Sequence, residues 1–468
     1  MKKHLLSAFG LVAALGMIGS TIAEAADIKF SGQLRPRFEY QDRNINVDTD
    51  ANLVVDGRVR LNALANIDDK TSAFIQMQAI QSFGTSQTNS IGGTRGPTAA
   101  NDNDASMGVH QAFFTLKDFF GSSADLTFGR QEIIFDGHRI FGDTLWTAGE
   151  QSHDAIRLTH SSGNHTLTYA YSRAVNTDAS EASNPTTDHD TNLNVHVGHA
   201  QFKGIMGGTL SVLFAAILDD RNDSSTASQD NDVYTIGFRQ AGKMAGLKYR
   251  GEFYYQFGDS ESHGSGFDHE AYMFGVRVGK GFGGAMKPGL TLWFDYLSGT
   301  DQNDLNNSEV STFDTVFDTG HKFYGFADYW LNIGAAGRNG SVLSDQLSGL
   351  GLMDFAIKGG ISPAANWKLG AHLHFFWTAE DAYNNTASIT QASTFSDKNV
   401  GENHLGEELD ITLTHNYNAS TNIVFGYSHF FADDLMEDVN HRFQGADADG
   451  TDDGEDADWA YIMLDMQF

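Results

Sequence analysis

The stretch Ile28-Lys29-Phe30-Ser31-Gly32-Gln33-Leu34-Arg35-Pro36-Arg37-Phe38-Glu39-Tyr40 decides the fold. Its large apolar side chains stand at even positions, and its charged side chains stand at odd positions. This period of two is typical of a β-strand whose faces meet different environments. Residues 247–257 and 367–377 repeat the pattern, with aromatic side chains on one face and charged or histidine side chains on the other.

The same alternation predicts about eighteen strands, each long enough to cross a bilayer at a tilt. They are predicted at 28–41, 53–67, 71–83, 108–118, 124–134, 153–160, 164–175, 192–203, 208–219, 231–240, 246–258, 270–280, 288–298, 350–361, 366–379, 404–416, 421–431 and 457–468. Long and short connections alternate between them, as in barrels with long extracellular loops and short periplasmic turns. A soluble β-sandwich has no reason for that alternation. We therefore predict an all-β fold, a closed antiparallel transmembrane β-barrel.

The N-terminus has the features of a secretory signal peptide. Basic residues Lys2 and Lys3 precede an apolar stretch, and Ala23-Glu24-Ala25 supplies small residues around a cleavage site. We predict that residues 1–25 are the signal peptide and that residues 26–468 form the barrel, in the outer membrane of a Gram-negative bacterium. The terminal Phe468, with alternating apolar residues before it, resembles the recognition signal of the barrel-assembly machinery. Lipid and lipopolysaccharide would surround the barrel.

Composition excludes several classes of protein. The chain has no cysteine, so it contains no disulfide framework and no thiol chemistry. Its net charge of −30 makes nucleic acid an unsuitable partner. The acids concentrate in the long connections, which places most of the negative charge outside the cell. Asp449 and Asp453 lie in one such connection and partly match a calcium loop, but the twelfth position is Ala460.

The charged face of each strand is predicted to line the lumen, because a charge facing lipid at the bilayer midplane costs about 2–4 kcal/mol. The predicted lumen cations are Arg35, Arg37, Arg58, Arg60, Arg130, Arg157, Arg239, Lys248, Arg250, Arg277, Lys358 and Lys368. They outnumber the predicted lumen acids, which are Glu39, Glu252, Asp295, Asp354, Glu408, Asp410 and Asp465. A cationic wall in an acidic chain favours the passage of anions.

Hairpin geometry predicts close cationic pairs on this wall. Folding the first hairpin about residue 47 places Arg37 near Arg58 and Arg35 near Arg60. Like charges opposite each other destabilise a sheet, so Glu39, acids across the lumen or an anionic solute must compensate. Folding about 362–365 places Lys358 beside Lys368. The alternative is that these cations simply balance lumen acids.

Four segments resemble the alginate export family of outer-membrane porins. They are Gly129-Arg130-Gln131-Glu132 running on to Gly142-Asp143, Phe313–Gly325, Leu405–Asp410 and Gly426–Ala432. The resemblance implies an eighteen-stranded barrel with a basic lumen that exports anionic polysaccharide. The chain departs from the family at Asp318, where we expect proline, and at Asp433-Asp434, where we expect glycine-aspartate.

The sequence therefore predicts a porin or exporter for anionic solutes, either acidic polysaccharide or small carboxylates. One alternative is a general diffusion or nutrient-uptake porin with weak charge selectivity. Others are an outer-membrane lipid hydrolase and an adhesive or structural barrel. We predict no catalytic residue, cofactor or metal site, and interpret His372 and His374 as wall residues. The sequence leaves open whether the 299–349 connection plugs the lumen.

Overall fold

The computed structural model describes residues 27–43, 45, 51–82, 106–175, 193–219, 232–260, 266–331, 349–382, 401–437 and 456–468. The predicted signal peptide, Asp449 and Asp453 lie outside this part of the chain. Within it, no helix is long and apolar enough to span a membrane.

Eighteen strands form the wall, and a nineteenth strand of two residues, β14, lies in the connection between β13 and β15. The strands are β1 Asp27–Asp42, β2 Asn52–Asn66, β3 Thr71–Ser82, β4 Ser106–Leu116, β5 Ala124–Gln131, β6 His153–Ser162, β7 His165–Val175, β8 Leu193–Ile205, β9 Gly208–Asp219, β10 Val233–Met244, β11 Leu247–Asp259, β12 Asp268–Gly281, β13 Gly289–Leu297, β14 Glu309–Val310, β15 Leu352–Ile361, β16 Trp367–Trp377, β17 His404–Asn416, β18 Thr421–Ala432 and β19 Ala457–Gln467. Two short helices, α1 Gln302–Asn306 and α2 Asp434–Glu437, lie in the long connections. The sheet is antiparallel throughout its wall and closes where β1 pairs with β19.

The barrel is apolar outside and polar inside, as the alternation of β1 predicts. Phe30 and Phe38 are exposed on the outer face, whereas Arg35 and Glu39 are buried on the inner face. The short turns keep neighbouring strands in register. One of them places Ala245 at φ 51° and Gly246 at φ 79°, the paired positive angles that favour a tight hairpin.

Two long connections fold into the barrel instead of extending from it. We call residues 132–152, between β5 and β6, inward loop 1, and residues 311–331, between β13 and β15, inward loop 2. Their apolar side chains form the buried core of the molecule, with Phe141 and Phe313 at most 1% exposed. The sequence left open whether the 299–349 connection enters the lumen, and residues 311–331 of that connection do so. The predicted strand 124–134 ends at Gln131 because the chain then turns inward.

Candidate functional site

The two inward loops form one crosspiece in the lumen. A parallel bridge joins Phe141 to Phe317. The amide of Gly142 donates to the Phe317 carbonyl at 2.8 Å, and the amide of Phe317 donates to the Ile140 carbonyl at 3.0 Å. These contacts narrow the lumen.

Two wall residues hold inward loop 2 by its backbone. The Gln256 side chain donates to the Asp314 carbonyl and accepts from the Asp314 amide, both at 2.8 Å. The Glu408 carboxylate accepts from the amides of Phe326 at 2.5 Å and Ala327 at 2.8 Å. Gly325, at φ 85°, is required here because a Cβ atom would overlap the Glu408 carboxylate.

The four arginines of the first hairpin hold inward loop 1. We call Arg35, Arg37, Arg58 and Arg60 the hairpin cluster. Arg35 donates to the carbonyls of Leu145 at 2.5 Å, Trp146 at 3.0 Å and Thr147 at 2.8 Å. Arg37 donates to Glu39 at 2.5 Å and lies over the Trp146 ring. The buried Glu150 carboxylate pairs with both Arg58 and Arg60.

The hairpin cluster therefore uses its charge within the protein. Of the groups expected from the sequence to compensate the positive charge of the hairpin cluster, Glu39 does so by pairing with Arg37. Glu150 and three backbone carbonyls supply the rest. Burial raises the pKa of Glu150, while Arg58 and Arg60 oppose that effect. These arginines bind the segment 144–150 to the wall.

The three predicted cation pairings on the wall are wrong. Arg35 lies opposite Arg58, while Arg37 lies opposite Asp56. Moving the centre of a hairpin by one residue shifts every cross-strand partner by two residues. The centre predicted for the β1–β2 hairpin was one residue too late in the sequence. Lys358 likewise lies opposite His372 and not beside Lys368, because the turn after Ile361 is centred later than predicted.

A second group of arginines surrounds two buried acids. Arg139 of inward loop 1 donates to Asp295 at 2.6 Å, to Glu252 at 3.1 Å and to the Tyr324 hydroxyl at 2.6 Å. Three wall arginines approach the same acids, with N–O distances from 3.1 to 4.0 Å: Arg239, Arg250 and Arg277. Arg277 also stacks on Trp293.

The wall arginines of this group have donor capacity that the described protein does not use. We call Arg239, Arg250 and Arg277 the wall cluster. Their Nε atoms are buried and have no hydrogen-bond partner in the described residues. They line a cavity of about 560 Å³ towards the periplasmic end, together with Lys243 and Lys248 and with no acidic residue in its lining.

Inward loop 2 adds a further cation to this region through Lys322. Burial lowers the pKa of Lys322, the cationic neighbours Arg250, Arg239 and Arg139 lower it further, and Asp143 opposes them. Neither Arg139 nor Lys322 was predicted from the sequence, because strand alternation says nothing about residues on long loops. Their only signal was their place within segments that resemble the alginate export family.

The remaining predicted cations occupy different positions. Arg157 faces the lumen, Lys358 has its Nζ 4.0 Å from the Trp293 ring centre, and Lys368 is exposed near the periplasmic end. The prediction for Arg130 is wrong. It shares the outer face of β5 with Phe128, is about half exposed, and pairs with Asp154 at 2.7 Å.

Comparison with known proteins agrees with this architecture. The family model for alginate export matches residues 26–443. No curated protein sequence matches the chain. Among solved structures, OccK8 (OprE) of Pseudomonas aeruginosa is similar at a TM-score of 0.53 and 10% identity, over 94% of this chain and 98% of that one.

Two further barrels are similar in fold. OccAB1 of Acinetobacter baumannii has a TM-score of 0.52 and 13% identity, over 94% of this chain and 96% of that one. OccK2 (OpdF) of P. aeruginosa, solved in complex with glucuronate, has a TM-score of 0.51 and 9% identity, over 94% of this chain and 98% of that one. At these identities the likeness concerns the fold alone.

Proposed function

The chain belongs to the alginate export family, and from that premise we propose that it is an outer-membrane channel for carboxylate-bearing saccharides or other small carboxylates. The observation that carries the proposal is the wall cluster. Arg239, Arg250 and Arg277 approach two acids and retain unused donors beside an acid-free cavity. A guanidinium binds a carboxylate through two parallel hydrogen bonds, which suits uronates.

The mechanism is passive. Confined water at the wall cluster screens charge less than bulk water does, so each cation there lowers the electrostatic barrier to an anion. Several weak contacts in series allow an anion to enter and to leave again. The wall cluster supplies several such contacts side by side, because its three arginines lie on the neighbouring strands β10, β11 and β12, with Arg250 opposite Arg277.

Solute size is the second part of the proposal. The inward loops are bonded to each other and to the wall, which favours short, flexible or single-file solutes over bulky ones. OccK2, which shares the fold, was solved with the uronate glucuronate. A uronate monomer and a polyuronate such as alginate offer the same carboxylate chemistry, and they differ in length.

The proposal is tested by reversal potential across a potassium chloride gradient in planar bilayers. We expect wild type to prefer chloride, and Arg250→Gln with Arg277→Gln to lose much of that preference. Arg130→Gln is the control, because it removes a cation from the outer face. Heat-modifiable migration verifies that each variant folds. An unchanged reversal potential in the double variant would refute the role of the wall cluster.

Two further measurements separate the solutes. Glucuronate added to the chamber should reduce chloride current by competing for the wall cluster, and alginate oligomers of increasing length should reduce it further if polymer is the solute. Inhibition by the monomer alone identifies a channel for small carboxylates. Equal chloride and potassium permeability without inhibition by either solute would identify a general diffusion porin.

A further inference from the structure

His372 and His374 lie two residues apart on β16, so both side chains face the lumen. On the neighbouring strand β17, Asp410 lies directly opposite His372. Cross-strand partners have their Cβ atoms about 5 Å apart, which brings the imidazoles and the carboxylate together. We propose that His372, His374 and Asp410 bind a divalent transition-metal ion of the zinc type.

The three ligand atoms converge. One nitrogen from each histidine and one carboxylate oxygen lie within 4.8 Å of one another. His374 Nε2 is 3.8 Å from Asp410 Oδ2. Zinc–ligand bonds measure about 2.0–2.2 Å, so a small inward rotation of the side chains completes three corners of a tetrahedron. A fourth corner remains for water or a solute.

Each of the three residues also has one buried atom without a hydrogen-bond donor or acceptor in good geometry, although the Asp410 carboxylate lies beside that of Glu408. His372 Nδ1, His374 Nε2 and Asp410 Oδ2 are buried and make no hydrogen bond in the described protein. His374 and Asp410 are at most 1% exposed. Leaving a buried polar atom unsatisfied costs about 1–3 kcal/mol, and three of them at one point indicate a shared ligand.

The surrounding residues orient the ligands as they do around bound metals. His374 Nδ1 and Asp354 Oδ1 are hydrogen-bonded at 2.8 Å, and in the proposed site the imidazole donates this bond to the carboxylate. This contact fixes the tautomer that leaves the Nε2 lone pair free. The Ser428 hydroxyl donates to Asp410 Oδ1 at 2.5 Å and leaves Oδ2 available.

The buried acids around the three ligands provide an environment suited to a cation. Asp354, Glu408 and Asp410 are fully or almost fully buried in this part of the wall. Lys358 is the cation that acts on them, and its Nζ lies against the Trp293 ring without an ion pair within 4.0 Å among the described residues. In the proposed site, a divalent cation would lie beside these buried acids and interact favourably with their carboxylates. Two imidazoles in the ligand set favour zinc-type ions over calcium or magnesium.

A second cluster of suitable residues is a weaker candidate. His110, Glu132 and Glu150 also converge, but Glu150 already pairs with Arg58 and Arg60. A metal there would have to displace two arginines. Both clusters bring three potential ligands close together, but the cluster on β16 and β17 has ligand atoms without other hydrogen-bond partners, and these favour it as the metal site.

The test is equilibrium dialysis of the detergent-solubilised protein, purified without a polyhistidine tag, against micromolar zinc. Metal content is then measured by mass spectrometry. We expect about one tightly bound zinc per wild-type chain. His372→Ala, His374→Gln and Asp410→Asn should each lose it, and Asp354→Asn should bind about 10–100-fold more weakly.

The control is His196→Ala, which removes an imidazole on the outer face that contacts Tyr169. It should bind zinc like wild type. Wild type also tests the site without any substitution: bound cobalt should show visible absorption typical of four ligands, and zinc should displace it. Wild type that retains no zinc, or ligand variants that retain as much as wild type, would overturn the proposal.

Discussion

At the scale of single residues, Glu150 connects a loop to the wall through two ion pairs. It lies on inward loop 1, and its buried carboxylate neutralises Arg58 and Arg60 of β2. Removing one member of a buried ion pair costs about 3–5 kcal/mol, because the remaining charge stays buried. Glu150 therefore adds a buried ion-pair contact to the three hydrogen bonds by which Arg35 holds the same segment.

We expect Glu150→Gln to release the segment 144–150 from the wall. Amide hydrogen exchange there should quicken by more than about tenfold, since each 1.4 kcal/mol is a factor of ten. Single-channel conductance should rise as the lumen widens. Glu132→Gln is the matched control, because Glu132 is more exposed and contacts His110 instead of the arginines. Equal exchange in both variants would contradict the role of Glu150.

Asp318 gives inward loop 2 a dependence on pH. Burial raises the pKa of Asp318 from 3.8 to about 7, Asp314 adds to that effect, and Arg139 opposes it. A raised pKa in the fold means that the neutral form is favoured. The packing of the loop is thus most stable at low pH and weakens as pH rises through about 7.

We therefore expect more frequent gating transitions at pH 8 than at pH 6, measured as open–closed rates in planar bilayers. Asp318→Asn keeps the shape of the side chain and removes its titration, so its rates should not differ between the two values of pH. Equal open–closed rates at pH 6 and pH 8 in wild type would show that gating does not depend on pH. A pH dependence that persists in Asp318→Asn would show that another group causes it.

At the scale of elements, strands were predictable and loops were not. The alternation in β1 identified both of its faces, because Phe30 and Arg35 obey the same period of two along the whole strand. Arg130 is an exception to the rule that charged side chains face the lumen. It faces outward at the extracellular end of β5, where its charge pairs with Asp154 and is in contact with water. Alternation does not reveal how close to the membrane edge a residue sits.

The candidate site shows the same division. The wall cluster was predicted, since Arg239, Arg250 and Arg277 lie on regular strands. Two partners that determine what these cations do lie on inward loop 1, as Glu150 and Arg139 show, and strand alternation does not reveal them. His372 differs, because its neighbour Asp410 lies on the wall strand β17 and is identified by register. Pairing errors of two residues, as between Arg37 and Arg58, come from turns whose centre the sequence does not specify.

The closing seam of the barrel depends on the last residue. Phe468 donates to the Gly32 carbonyl at 3.1 Å, and the Gly32 amide donates to the Phe468 carbonyl at 2.7 Å. Deleting Phe468 removes these bonds and the terminal aromatic side chain. We expect slower assembly in pulse-chase experiments scored by heat-modifiable migration. Phe468→Trp keeps the aromatic terminus and should assemble normally, and an unaffected deletion variant would remove the residue from the assembly signal.

At the scale of the whole molecule, two sets of charges oppose each other. The chain carries a net charge of −30, yet the lumen holds the wall cluster beside an acid-free cavity. The sequence places many acids in long connections, where we expect their charge to be solvated and screened beyond a Debye length, which is about 8 Å at physiological salt and about 30 Å at 0.01 M. Charge at the wall acts where water is confined. Ionic strength therefore determines whether the acids of the long connections or the arginines of the wall cluster act more strongly on an anion that enters the barrel.

We expect anion preference at moderate potassium chloride, because there the wall cluster acts at close range while the loop acids are screened. At about 0.01 M salt the longer Debye length lets the loop acids repel anions at the mouth, so the preference should fall. The measurement is reversal potential at a fixed gradient ratio over a series of mean concentrations. Asp449→Asn with Asp453→Asn removes two loop charges and should restore part of the low-salt preference without changing the value at moderate salt. Cation preference at moderate salt would contradict control by the wall, and a preference that rises steadily with dilution would show that the loop acids do not reach the path.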